Sequence, residues 1–241
     1  MKTTSILRML VVLFAMILTF VVTANAATKA SADLKTRVIG AIGNYYVEPF
    51  KVSTDANGKV EIKGDVTTLY DRMKIFDIVS EVPGVREIED LVNVDTPTVL
   101  DKILEATIQH AMKENATILE PDRITVRVNN GVVFFTGEVS YYREKLMATT
   151  IASWEKGVKA VENELKVMSP NVARSDENLN IVLHEIAQHH FSLDKKIDLS
   201  VHDGVVTMRG EAVRLWDKRK MEEEFRKVMG VKQVINDLTV R

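Results

Sequence analysis

The chain is predicted to fold as α+β: three tandem small modules of order helix-strand-strand-helix-strand, each a three-stranded mixed sheet packed on two helices. Three observations predict this. The pattern Gly-x-Val-x-x-x-Gly occurs at Gly58 to Gly64, Gly131 to Gly137 and Gly204 to Gly210, successive copies being 73 residues apart. A Gly-Val pair follows each, at Gly84-Val85, Gly157-Val158 and Gly230-Val231, in the same 73-residue register. Val94, Val167 and Val240 close the repeats at that spacing too, so one unit recurs three times. The boundaries read as 31–95, 98–169 and 177–241, with joints at Thr96-Pro97 and over Ser169 to Asp176, the second polar in the manner of a linker. Modules of about 65 residues lie near the lower limit for folding alone without metal or disulfide, so they are expected to pack on one another.

Each module opens on a helical period, clearest in the third, where Leu179, Val182, Leu183, Ile186 and His190 form one stripe. Two strands follow. Ile197 to Val201 alternates, Asp203-Gly204 supplies a tight turn and Val205 to Met208 returns; Ile124 to Val128, Asn130-Gly131 and Val132 to Phe135 repeat the hairpin in the second copy. The second helix shows its buried face when the copies are overlaid: Ile75, Ala148 and Met221 coincide, as do Val79, Ala152 and Phe225 four residues on. The Gly before Val85, Val158 and Val231 suits a helix C-cap, and a short third strand completes the unit.

Gly58, Gly131 and Gly204 are expected at hairpin turns, where a two-residue loop needs positive φ. Gly64, Gly137 and Gly210 end the second strand, where a missing side chain admits close approach of the following helix or a bulge. None of the six has the spacing that aims backbone amides at phosphate, so their reading is structural.

The first 26 residues follow the secretory pattern: Lys2 and Arg8 supply positive charge, Met9 to Val22 is almost wholly apolar, and Ala24-Asn25-Ala26 has the small-x-small form of a cleavage site. Cleavage is expected after Ala26, with an uncleaved anchor as the alternative. There is no Cys, which excludes disulfides, thiolate metal sites, Cys nucleophiles and a lipid-modified Cys at the cleavage site. The chain has 32 Lys plus Arg against 34 Asp plus Glu. Loss of Lys2 and Arg8 makes that 30 against 34, a formal charge of −4, so no basic field argues for nucleic acid.

The hairpin pattern, the helix, the Gly-Val pair and the endings Asn163-Glu-Leu165-Lys-Val167 and Asn236-Asp-Leu238-Thr-Val240 together resemble the BON domain, named for bacterial osmotically induced and nodulation-related proteins. The first copy departs from this ending, with Asp90 in place of Asn and Val92 in place of Leu. A signal peptide followed by tandem BON domains is also similar in layout to the osmotically inducible periplasmic Y family, which usually has two such domains, where this chain has three. The resemblance implies a periplasmic location, binding to membrane phospholipid or the cell envelope in support of envelope integrity or osmotic stress response, and no catalytic residues.

Candidate chemistry is sparse. His184-Glu185-Ile-Ala-Gln-His189-His190 imitates the zinc motif H-E-x-x-H but has Gln188 where the second ligand belongs, and His184 and His189 stand about 140° apart around a helix. His190 lies on the apolar stripe, His202 adjoins Asp203, and His110 has no partner at recognisable spacing. Glu222, Glu223 and Glu224 resemble an acid cluster, but Arg226 and Lys227 at i+4 make them one side of helix-surface pairs. No nucleophile motif occurs. No enzyme activity, cofactor or metal is therefore expected.

For binding, the third copy is rich in cations. Met221, Phe225 and Val228 mark the buried side of its second helix, which turns Trp216, Lys220 and Lys227 outward together. A Trp flanked by Arg214, Arg219, Lys220 and Lys227 suits a lipid headgroup interface, and equally suits packing on a neighbouring module. Tyr141, Tyr142 and Trp154, and Tyr45 and Tyr46, are candidates for inter-module surfaces. The expected partner is membrane phospholipid or an envelope component; the alternative is an adaptor or chaperone-like protein that binds exported polypeptides.

Overall fold

The computed structural model describes residues 28–47, 49–168, 175–191 and 197–241. The expected signal peptide, most of the second joint and the side chain of His190 lie outside them. The first module runs α1 (28–43), β1 (Lys51–Thr54), β2 (Lys59–Val66), α2 (Leu69–Ser80) and β3 (Glu87–Val94). The second comprises α3 (Asp101–Glu114), a 3-10 turn (Pro121–Arg123), β4 (Ile124–Asn129), β5 (Val132–Val139), α4 (Tyr142–Trp154), β6 (Ala160–Asn163) and β7 (Lys166–Val167). The third comprises α5 (Asp176–Phe191), β8 (Ile197–His202), β9 (Val205–Ala212), α6 (Leu215–Arg226) and β10 (Gln233–Val240).

In each module the second strand is central. It pairs antiparallel with the first through the hairpin (Val52 opposite Ile62, Val126 opposite Phe135, Leu199 opposite Met208). It pairs parallel with the last, which needs the crossover that the second helix supplies. Ile124, Val126 and Val128 are buried while Thr125, Arg127 and Asn129 face water, so one face of the sheet carries the helices and the other is solvated. The helical stripes match: Leu34, Val38 and Ile42 on α1, Leu104, Ile108 and Met112 on α3, and Leu179, Leu183 and Ala187 on α5 are all buried. So are Ile75, Ala148, Met221, Val79, Ala152 and Phe225, the six residues superimposed from sequence.

The two glycine landmarks recur together because they touch. Asn130 and Gly131 both have positive φ, 51° and 79°, as a two-residue hairpin loop requires, and a Cβ on Gly131 would stand 2.6 Å from the carbonyl oxygen of Gly157. Gly204 faces Gly230 in the same way, and Gly58 faces Gly84. The first hairpin departs from the two-residue expectation: its connection is Asp55 to Gly58, held by the Asp55 carboxylate, which accepts from the amides of Asn57 and Lys59. Gly64, Gly137 and Gly210 do not end the second strands as expected but lie two residues before their ends, and at Gly64 and Gly137 the expected close neighbour is also corrected. It is the entry to the first strand, not the following helix: the Arg123 carbonyl lies over Gly137 and the Phe50 ring over Gly64.

An acid at the start of the first helix grips the hairpin of the second and third modules. Asp101 accepts from the amides of Asn130 (2.9 Å) and Gly131 (3.1 Å), and Asp176 from those of Asp203 (2.7 Å) and Gly204 (2.9 Å). Backbone donation holds the Asp176 carboxyl below its ordinary range. The Asn of the repeat ending ties the last strand to the second helix: Asn163 donates to the Lys145 carbonyl (2.7 Å) and Asn236 to that of Lys218 (2.9 Å). Asp90 cannot donate, and here the helix reverses roles: Arg72, in the register of Lys145 and Lys218, donates to the Asp90 carboxylate at 2.9 Å.

Candidate functional site

The cations singled out on the third module lie on and beside α6, and each has a defined neighbour. The Asp217 carboxylate, buried in the first turn, accepts from the Arg214 backbone amide (3.1 Å) and from its guanidinium at Nε (2.9 Å) and Nη2 (2.7 Å). That bond raises the Arg214 pKa further. Arg214 also lies 5.3 Å from the centre of the Trp216 ring. Trp216 does not project outward as expected. It is partly buried against the third core, its ring 6.1 Å from Phe191 of α5, because a helical side chain folds back over the turn N-terminal to its own Cα.

Arg219 donates to Asp77 of α2 at 2.9 Å and stands 4.4 Å over the Phe76 ring, both in the first module. Lys220 bonds Glu223 at 3.0 Å with Asp77 at 3.9 Å, and Lys227 bonds Glu223 (3.1 Å) and Glu224 (2.7 Å). Burial works against the Glu223 carboxylate, but Lys220 and Lys227 outweigh it and hold its pKa below the ordinary range. Burial likewise opposes the Lys227 charge, and Glu224 and Glu223 overcome it, so its pKa is raised. Lys220 is thus a half-buried member of this charged network, while Lys227, paired with the same Glu223, is exposed as expected.

That network belongs to a larger arrangement in which the second helices meet end to end. Leu69, at the start of α2, is a member of the second module's core. Tyr142, in the same repeat position at the start of α4, lies under Arg226 of the third module, 6.0 Å from ring centre to guanidinium. Leu215, in that position again at the start of α6, packs against the first module's core. One contact therefore runs from module one to two, two to three and three to one, and a head-to-tail contact that returns to its start forms a ring. Trp154 at the end of α4 adds an edge-on contact with Tyr70 (5.6 Å between centroids), so Tyr142 and Trp154 both serve inter-module surfaces. Tyr46 instead bonds Asp71 within its own module, and Tyr45 is exposed.

Other candidates resolve into local roles. His184 Nδ1 lies 2.8 Å from the Asn180 carbonyl of its own helix, His189 is exposed, and among the described residues no three His, Asp or Glu side chains are grouped to hold a metal. Glu222 pairs with Arg226 and Glu223 with Lys227 at i,i+4. A depression of about 100 Å³ lined by Gln109, Met112, Lys113, Pro121 and Ile124 is small beside the ~300–1,000 Å³ of pockets that enclose drug-sized ligands. Sequence reading missed the acids Asp71, Glu144 and Asp217, 73 residues apart, each in the first turn of a second helix. Glu144 accepts from the amides of Tyr141 and Leu119, whereas the Asp71 carboxylate accepts from the hydroxyls of Thr68 and Tyr46, and the Asp71 amide donates to Thr68 Oγ1. Their common register was the available signal.

A two-layer α+β unit used three times, its copies joined by side-chain contacts between the second helices, defines a tandem-module protein. The chain belongs to the BON domain family, whose model matches residues 30–96, 100–169 and 182–241. No curated protein matches it. Among solved structures it is similar to the C-terminal domain of CdsD, a structural protein of the type III secretion system of Chlamydia trachomatis, at 15% identity over 87% of this chain and 98% of that one, with a TM-score of 0.24. A second CdsD structure from the same organism gives 16% identity, 87% and 92% coverage and a TM-score of 0.23.

Proposed function

We propose that this is a non-enzymatic periplasmic protein, exported and cleaved after Ala26, that associates with membrane phospholipid or another envelope component and supports envelope integrity or the osmotic stress response. The observation that carries this reading is the cation set on and beside α6: Arg214, Arg219, Lys220 and Lys227 keep part of their charged side chains accessible, and Arg214 stands over the partly buried Trp216 ring. Basic groups beside an amphipathic ring suit an anionic headgroup layer, where the ring meets the acyl boundary and the cations meet phosphate. An extended surface also fits such a partner better than a pocket does.

The test is co-sedimentation of residues 27–241 with phosphatidylglycerol-containing and pure phosphatidylcholine vesicles at low and moderate salt. Salt-sensitive binding to the anionic vesicles alone is expected, weakened in Trp216→Ala and retained in Trp216→Phe, with thermal melts confirming that both variants fold. Absence of binding at either salt sinks direct lipid recognition.

A second reading rests on Tyr70, Met73 and Trp154, which stay exposed where the first and second modules meet. Such an apolar patch suits the side chains of an unfolded exported polypeptide, making the protein an adaptor or chaperone. Suppression of client aggregation that Trp154→Ala abolishes, without vesicle binding, favours this reading over the first.

A further inference from the structure

The contact that closes the ring differs in chemistry from the other two. Where Arg219 and Lys220 of the third module meet Asp77 of the first, the matching positions of the other junctions pair Met73 with Thr150 and Leu146 with Glu223, neither of which can form an ion pair. The apolar element is weaker here as well: Leu69 is a buried member of the core it enters, whereas Leu215 is only partly buried against its own target. The first two junctions are also tethered by short joints in the chain. The third holds the first and last modules together by contact alone.

We propose that this junction is an electrostatic latch: Asp77 holds Arg219 and Lys220 in the closed ring, and a negatively charged membrane surface competes for them, opening the ring as it binds. The proposal rests on the phospholipid reading and adds its regulation. A ligand shifts a conformational equilibrium only by binding one state better than the other. In the closed ring Arg219 is committed to Asp77 and to the Phe76 ring; in the open one its guanidinium is free for headgroup phosphate, and Lys220 loses the competing Asp77 while keeping Glu223. The Arg219 and Asp77 side chains retain 41% and 28% of their accessibility, so water and salt compete with the pair and the latch is light enough for a surface to spring. Opening costs the chain neither of its other junctions.

The experiment uses the absence of Cys. A Lys35→Cys, Lys232→Cys form of residues 27–241 carries a donor and an acceptor dye on the first and third modules, with and without Asp77→Asn. Without vesicles, Asp77→Asn is expected to lower energy transfer, and salt to lower it in the parent but little in the variant. The variant is also expected to bind phosphatidylglycerol-containing vesicles about twofold to fivefold more tightly, the factor an exposed pair commands. Unchanged transfer in the variant at every salt overturns the latch, even where both proteins bind vesicles and the lipid reading stands. Reduced transfer with no vesicle binding by either protein overturns the anionic surface as competitor and the lipid reading with it. A light-scattering check that both proteins stay monomeric separates opening from exchange of modules between chains.

Discussion

At the residue scale, three pairs of positions explain why the repeat takes the form it does. The hairpin glycine and the second glycine lie 26 residues apart in every copy because the carbonyl of the second occupies the space where a side chain of the first would be; the second glycine is not the helix C-cap expected from sequence, which is Glu81, Glu155 or Lys227, but belongs to the turn that follows it. Gly131→Ala is expected to destabilise the protein by about 1–3 kcal/mol, from positive φ and contact with the Gly157 carbonyl. Gly40→Ala, in α1 with open space around it, is expected to stabilise by about 0.5–1 kcal/mol. Urea midpoints compare the two directly. The Asp90 and Arg72 pair of the first module replaces the Asn and Lys of the others as a unit, so Asp90→Asn and Arg72→Lys should each cost about 1 kcal/mol while the double variant recovers most of it. A double-mutant cycle reads the coupling. Sequence alone showed Asp90 as a departure from the repeat; its compensation was hidden because Arg72 is 18 residues away and becomes a neighbour only when the crossover helix is laid on the sheet.

At the element scale, the grip of α5 on the β8–β9 hairpin depends on a charged carboxylate. The amides of Gly204 and Asp203 depress the Asp176 pKa in the folded state, so this contribution is fully present above the unfolded Asp value of about 3.9 and is lost as pH falls through the lower folded value. Melting temperature should therefore drop more steeply below about pH 4 in the parent than in Asp176→Asn, which lacks the titrating group. Much of this level was legible beforehand. Alternation gave the strands, and superposing the copies picked out the buried face of the second helices, because a 73-residue repeat averages over local noise. Trp216 was misplaced for a physical reason. Helical angle locates a Cα, whereas an indole reaches back along its helix far enough to find Phe191.

At the scale of the whole molecule, the modules hold one another through positions that no periodicity marks. Leu69, Tyr142 and Leu215 share the 73-residue register, and each meets a different module from the one that encodes it, the two leucines through apolar cores and the tyrosine beneath a guanidinium. The expectation that the modules pack together came from size, but the route could not be read from a linear pattern. Leu69→Ala should cost about 2–4 kcal/mol and loosen the first module from the second, seen as a broadened or split calorimetric transition. Leu215→Ala should cost less, since Leu215 is only partly buried.

The circular contact has a topological consequence. A cycle of three modules has no intrinsic first member: the positions of the chain ends record only where the cycle is cut, between the third module and the first. Rejoining residue 241 to residue 28 through a flexible linker and cutting instead at the joint after Val94 yields the order two, three, one. Such a permuted chain should assemble the same three junctions, with the ionic one now spanned by covalent chain and an apolar one left to close by contact alone.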